Sequence, residues 1–291
     1  MRVSLQLPMF DYDDLRGSVA NIAKTAEDGG LYSLWVMDHF FQLGGPLLGP
    51  AENNMLEAYT TLGYIAGVTQ RLKLGTLVTG VIYRNPGLLT KAVTTLDVLS
   101  GGRAYLGIGA AWYEREAHAL GFTYPSMKER FEWLEEALQI VHQMWDESNN
   151  GPYEGKHYQL KETINHPQPI SQPRPPIMIG GMGENKTLRM VAEYADACNL
   201  FARAGIDVLK HKLDVLKEHC DALGRNYDDI EKTALATAYL DDLDTSDKIV
   251  ALCEELADIG VSHVIFNMPE PEKLVNPQKL ADEVIPKVSK L

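Results

Sequence analysis

Apolar runs of strand length recur along this chain with helix-like stretches between them. That alternation constrains the fold more than any other feature. The runs cover 3–7, 33–37, 72–79, 104–108, 176–179, 196–200, 231–238 and 261–267. They divide the 291 residues into units of roughly 36 residues, about the size of one β-α repeat in a barrel. An alternating β-α order makes a parallel sheet, either open and doubly wound or closed on itself. An open sheet of the dinucleotide-binding kind carries a glycine fingerprint directly after its first strand. Here Pro8-Met9-Phe10-Asp11 follows the first run, and Gly107-Ile108-Gly109-Ala110-Ala111-Trp112 follows the fourth and lacks the third glycine. The expected fold is therefore α/β, a single eight-stranded parallel β/α (TIM) barrel with insertions, spanning residues 1–291 as one domain.

Local punctuation agrees. Asn85-Pro86 and Asn276-Pro277 each read as an N-cap before a proline at the first helical position. Ser126 and Glu129 fit a capping box. Gly29, Gly101, Gly224 and Gly260 stand where helices should stop. Phe131, Leu134, Leu138, Val141 and Trp145 form one stripe of a helix over about 128–147. The unit after the fourth run is too long. Its extra segment, about 148–176, holds Pro152, Pro167, Pro169, Pro173, Pro175 and Pro176, so it is not regular helix. It reads as an insertion packed over one end of the barrel.

A net charge of −13 disfavours nucleic acid and anionic membranes as partners. There is no basic stretch followed by an apolar one at the N-terminus, and no apolar run of spanning length. The expected location is cytoplasmic. Cys198, Cys220 and Cys253 are far apart and read as reduced thiols without a metal. His118, His142, His157, His166, His211, His219 and His263 are scattered, with no metal-ligand spacing. Walker, nucleophile-elbow and His-Glu-x-x-His motifs are absent.

The second run, Ser33-Leu34-Trp35-Val36-Met37, delivers Asp38 and His39 to its C-terminal edge, the edge where barrel enzymes place their chemistry. Taken alone, the pair reads more readily as a turn cap and a packed rim histidine, since most polar residues after strands serve turns. Ile177-Met178-Ile179 runs into Gly180-Gly181-Met182-Gly183. Glycines there let backbone N–H groups converge on a phosphate, or simply make a tight turn. Thr76-Leu77-Val78-Thr79-Gly80 and Gly107-Ile108-Gly109-Ala110 are either walls of a flat ligand slot or ordinary crowded strand ends.

These stretches, with Met55-Leu56-Glu57-Ala58-Tyr59-Thr60-Thr61-Leu62 and Thr95-Leu96-Asp97-Val98-Leu99-Ser100-Gly101-Gly102-Arg103, resemble the luciferase-like flavin and deazaflavin oxidoreductase superfamily, most of all its branch dependent on coenzyme F420. The resemblance covers nearly the whole chain. It implies hydride transfer between F420 and an organic small-molecule substrate. The alternatives are an FMN-dependent luciferase-like or alkanesulfonate-type monooxygenase and, from another class, a non-catalytic flavin-binding protein. It also implies a homodimer, and a non-proline cis peptide within Thr76–Thr79. The residues it assigns to the cofactor are Asp38, His39, Leu77, Val78, Thr79, Gly107, Gly109, Ala110, Gly180, Gly181, Met182 and Gly183. His39 is expected as the general acid or base, and Asp38 is expected to orient His39 or contact the ring. One departure stands out. Sugar-phosphate dehydrogenases of the superfamily carry an acidic residue after the fourth-strand glycines, and the matching position here is Trp112.

Overall fold

All eight apolar runs form strands in the computed structural model, which describes residues 1–240 and 245–291. In chain order the strands are β1 (Arg2–Leu7), β2 (Ser33–Val36), β3 (Lys73–Thr76), β4 (Thr79–Gly80), β5 (Leu106–Gly109), β6 (Tyr153–Glu154), β7 (Gln159–Leu160), β8 (Ile177–Gly180), β9 (Ala197–Phe201), β10 (Glu231–Thr237) and β11 (His263–Asn267). Nine of them make one sheet in the order β3-β2-β1-β11-β10-β9-β8-β5-β4. Every pair in that sheet is parallel, with registers such as Leu5 opposite Leu34 and Ile108 opposite Ile179. The ends meet. Leu74 N donates to Arg103 O at 2.8 Å and Tyr105 N to Leu74 O at 2.8 Å. The sheet is thus a barrel wrapped by helices, and all its strand C-termini share one mouth.

Nine strands make eight staves because the 72–79 run is interrupted. A cis Leu77–Val78 peptide lies between β3 and β4, inside the stretch where one was expected. Gln6 Nε2 donates to Leu77 O at 3.0 Å, and Leu77 N donates to Val36 O at 2.9 Å. Glycines on neighbouring strands make room for this bulge. A Cβ on Gly107 would lie 1.8 Å from Thr76 O, and one on Gly180 would lie 2.9 Å from Val78 Cγ2. Both are closer than atoms approach without displacement.

The barrel interior is filled by Trp35, Leu77, Tyr105, Met178, Ala197 and Ile265, with Val78 and Leu235 half-buried above them. Below, at the foot, His263 Nε2 lies 2.6 Å from Ser4 Oγ and its Nδ1 lies 3.1 Å from Glu231 Oε1. Trp35 Nε1 donates to Ser33 Oγ at 2.6 Å. Burying these polar groups is tolerable because they bond one another. A second, larger apolar layer lies between strands and helices.

Most helix signals hold. Asn85 accepts from Gly87 N, the Ser126–Glu129 capping box forms, and Gly101 and Gly224 end helices in the left-handed conformation. Leu134, Leu138, Val141 and Trp145 are buried as the stripe required. Asn276 does not cap a helix. Leu274, at φ 64°, turns the chain so that the helix starts at Val275, and Asn276 Nδ2 reaches Pro269 O instead. Pro277 still falls in the first turn, where its missing N–H costs no bond. The 148–176 segment does not lie across one end of the barrel. It forms the antiparallel β6–β7 hairpin and runs along helices Pro86–Ser100 and Met127–Met144. The reason is two carboxylates on those helices. Asp97 accepts from Ile170 N and Ser171 N at 2.8 and 2.9 Å, and Glu136 accepts from Lys156 N and Tyr158 N at 2.9 Å each.

Candidate active site

The mouth is built from strand ends. β2 delivers Asp38 and His39, adjacent residues that diverge because side chains alternate along an extended chain. Asp38 is fully buried and faces Arg84, which follows β4. Arg84 Nη2 donates to Asp38 Oδ1 at 3.0 Å and to Glu57 Oε1 at 2.5 Å, while Nη1 donates to Asp38 Oδ2. The Arg84 guanidinium also lies 4.7 Å from the centre of the Tyr59 ring. Burial pushes the Asp38 carboxyl above its ordinary range, and Arg84 offsets this only in part. Asp38 therefore does not orient His39; Arg84 takes up its carboxylate.

Glu116 performs that task. It stands in the short helix Glu114–Ala119 after β5 and is fully buried. His39 Nδ1 lies 2.6 Å from Glu116 Oε1, and the Tyr83 hydroxyl donates to the same oxygen. Phe40 N and Phe41 N donate to Oε2 at 2.8 and 3.1 Å. Burial raises the Glu116 carboxyl, but the bonds from His39, Tyr83 and Phe40 outweigh it and leave it below its ordinary range. Tyr83 moves the other way, since burial and its bond to Glu116 hold the phenol protonated. An ionised Glu116 on Nδ1 fixes the imidazole ring. His39, 8% exposed, makes no hydrogen bond through Nε2 among the described residues. The rings around it belong to Tyr83, Trp112 and Tyr113, each edge-on, with centroids 5.6 to 6.2 Å away.

The bulge and the glycine loop complete the mouth. Leu77 packs inside the barrel, and half-buried Val78 lies against that packing. Thr79 Oγ1 is 2.9 Å from Tyr59 OH and 3.0 Å from Thr76 Oγ1. Gly107 and Gly109 face the bulge, so their missing Cβ atoms accommodate Thr76 O and Val78. After β8, Gly181 adopts φ 118° and donates its N–H to Asn199 O at 3.2 Å. The N–H groups of Met182 and Gly183 have no acceptor among the described residues. The next residue, Glu184, is held by Lys212 and lies 3.0 Å from His211 Nε2, and the Lys212 ammonium offsets its charge beside the loop. The loop adjoins the β5 rim, since a Cβ on Gly109 would lie 3.6 Å from Gly180 O. On that rim Arg130, 5% exposed, donates to Ala110 O at 3.0 Å and Pro125 O at 2.7 Å. It has no carboxylate partner among the described residues, and its Nη2 makes no hydrogen bond there.

The sequence reading missed Glu116, Tyr83, Arg84 and Arg130 as site residues. For Glu116 the available signal was weak, because Glu114 stands two positions earlier and is solvent-exposed. For Arg130 the signal was its place in the first turn of an otherwise apolar helix face.

This architecture is a β/α-barrel enzyme fold with its polar constellation at the C-terminal mouth. A sequence profile of the luciferase-like monooxygenase family matches residues 12–275, and the chain belongs to that family. An F420-dependent glucose-6-phosphate dehydrogenase of Kineococcus radiotolerans is 34% identical over 220 residues, covering 75% of this chain and 62% of that protein. The enzyme of the same name from Amycolatopsis mediterranei is 30% identical, covering 72% and 61%. The chain thus spans about three fifths of the length of these curated relatives. Among solved structures, the coenzyme F420-dependent tetrahydromethanopterin reductase of Methanopyrus kandleri superposes with a TM-score of 0.80 at 20% identity, covering 98% of both chains. An F420-dependent secondary alcohol dehydrogenase superposes at 0.84 and 18% identity, covering 99% of this chain and 98% of the other. These likenesses support the barrel fold.

Proposed function

We propose that this protein is an oxidoreductase that transfers hydride between coenzyme F420 and an organic substrate, with His39 as general acid and base. The observation that carries the reading is the His39–Glu116 pair, with Nδ1 locked on a sealed carboxylate and Nε2 free at the mouth. When bound, the deazaflavin supplies a ring carbon that gives or takes hydride. The protein's part is the matched proton. Nε2 accepts it when substrate is oxidised and returns it when substrate is reduced. Glu116 stabilises the imidazolium between those events.

The mouth fits such a cofactor. Half-buried Val78 and Leu235 offer an apolar floor for a flat ring. The open N–H groups of Met182 and Gly183 suit its phosphate, with the unused Nη2 of Arg130 on the adjoining rim. Asp38, Leu77, Thr79, Gly107, Gly109, Ala110, Gly180 and Gly181 shape the slot between floor and loop. The F420-dependent relatives at 34% and 30% identity favour the deazaflavin over FMN. On the same reading the 1–291 chain is one barrel domain with its 148–176 insertion, works in the cytoplasm and acts as a homodimer. Exposed Leu88 and Leu99 on the outer face of helix Pro86–Ser100 suit a self-contact. No helix among the described residues is long and apolar enough to cross a membrane.

Titration of the purified protein with F420 and with FMN, followed by fluorescence, tests the reading. F420 should bind more tightly. FMN binding without F420 binding would promote an FMN-dependent monooxygenase. Cofactor binding without turnover in any alcohol or carbonyl screen would favour a flavin-binding protein.

A further inference from the structure

We propose that the substrate is an alcohol–carbonyl pair whose flank at the reacting carbon is flat and apolar, held against the indole of Trp112, and not a polyhydroxylated phosphate. The inference rests on the hydride-transfer reading above and names its substrate class.

Trp112 is 61% exposed, an unusual state for the largest apolar side chain when it stands at a mouth. Tyr113 stacks on it at 5.3 Å and 29°. Its indole meets His39 edge-on at 5.6 Å. The remaining surface faces outward beside the imidazole whose Nε2 is free. A tryptophan in that position presents a rigid flat surface next to the reacting atoms.

The polar groups near His39 point the same way. A sugar phosphate is held by charged and hydroxyl-binding side chains with open valences. Glu116 is sealed and accepts from His39, Tyr83, Phe40 N and Phe41 N. Asp38 is sealed on Arg84, whose two terminal nitrogens are engaged by Asp38 and Glu57. These charges are committed to one another, while the surface left open beside Nε2 is aromatic.

In the oxidative direction the carbinol C–H bond would break, with its electron pair leaving as hydride to an oxidised deazaflavin bound at the mouth. The O–H bond breaks, its proton passes to Nε2, and its electrons complete the C=O bond. The reverse direction would take hydride from a reduced deazaflavin and the proton from His39 Nε2.

The test uses acetophenone and glucose 6-phosphate as probes, with binding read by ligand-observed NMR on the purified protein without cofactor. Acetophenone should bind and glucose 6-phosphate should not. Trp112→Ala should weaken acetophenone by about tenfold, the scale of one aromatic contact, and Trp112→Phe should restore most of it. Trp112 is exposed, so both variants are expected to fold, and circular dichroism checks this. Glucose 6-phosphate binding, or acetophenone binding that is absent or unchanged in Trp112→Ala, would overturn the proposal. A separate F420 titration tells the two readings apart. Trp112-dependent acetophenone binding without F420 binding leaves the substrate class standing and removes the cofactor reading.

Discussion

His39 Nδ1 and Glu116 Oε1 lie 2.6 Å apart although 77 residues separate them in sequence. They come from the ends of β2 and β5, and the bulge between β3 and β4 lies between those staves. The imidazole is therefore fixed by a carboxylate that the substrate does not touch. His39 should matter to turnover and little to cofactor affinity if, as proposed, the glycine loop and the apolar floor hold the cofactor. His39→Ala should leave F420 affinity within about threefold and lower single-turnover hydride transfer by about a hundredfold to ten-thousandfold. Stopped-flow absorbance with a saturating substrate measures the step. Loss of cofactor at an unchanged saturated rate would make His39 a binding residue.

Glu116→Gln tests the other half of the pair. A glutamine amide has one acceptor oxygen, so it can accept from Phe40 N and Phe41 N only by turning its NH2 towards His39 Nδ1 and Tyr83 OH, and one side of the contact is lost. The cost at neutral pH should be about 1–3 kcal/mol, the scale of unsatisfied buried groups. The pH dependence has a definite sign. Folding lowers the Glu116 carboxyl below its ordinary range, because the bonds from His39, Tyr83 and Phe40 outweigh burial. Its stabilisation is complete above the ordinary glutamate value and is lost as pH falls through the lower folded value. Urea midpoints from neutral pH down into that acid window should fall less steeply for Glu116→Gln than for the natural protein. Parallel curves would mean that Glu116 does not titrate on folding.

The glycines of the mouth should separate into two kinds. Gly107→Ala places a Cβ where Thr76 O stands, 1.8 Å away. It should destabilise the chain by about 1–3 kcal/mol through displacement of the bulge, read as a lowered denaturation midpoint. Gly181→Val meets no such wall, since its nearest neighbour would be Thr187 Cγ2 at 3.4 Å, but it forces a β-branched residue to φ 118°. It should weaken F420 by disturbing the N–H groups of Met182 and Gly183. Unchanged affinity in folded Gly181→Val would remove the loop from the cofactor site.

The barrel was legible because its signals are local. Each apolar run, each glycine stop and the Ser126–Glu129 box depends on residues within a few positions of one another. The bulge was not legible in the same way. Both halves of 72–79 are apolar, and only the family resemblance suggested a break there. Gly107 and Gly109 read as either the wall of a ligand slot or a crowded strand end, and Gly180 as part of a phosphate loop or a tight turn; their missing Cβ atoms make room for Thr76 and Val78, which come from another strand. The partners of Asp38 and His39 were also out of reach. Arg84 lies 46 residues from Asp38, and no periodicity singles out Glu116 from Glu114. Side chains that meet only when the barrel closes leave no spacing to read.

The foot of the barrel offers a prediction that separates stability from chemistry. Glu231 Oε1 lies 3.1 Å from His263 Nδ1 and 2.8 Å from Arg2 Nη1, and His263 Nε2 lies 2.6 Å from Ser4 Oγ. His263 and Ser4 are fully buried. Burial raises the Glu231 carboxyl, but His263 and Arg2 outweigh it and leave it below its ordinary range. Its contribution is likewise complete above the ordinary glutamate value and lost as pH falls through the folded one. Glu231→Gln removes the charge but keeps the shape, weakening the acceptor that faces His263 Nδ1 and Arg2 Nη1. Losing a buried hydrogen bond to a charged group costs about 1–3 kcal/mol. The variant should therefore melt well below the natural protein at neutral pH and approach it in acid. Because the network sits at the end opposite His39, F420 affinity and the saturated rate should stay unchanged at temperatures where the variant is folded. A variant that keeps its melting temperature would show the foot to be slack. One that folds but fails in hydride transfer would show that the two ends of the barrel are coupled through Trp35, whose indole bonds Ser33 in the foot network and fills the barrel beneath Val78.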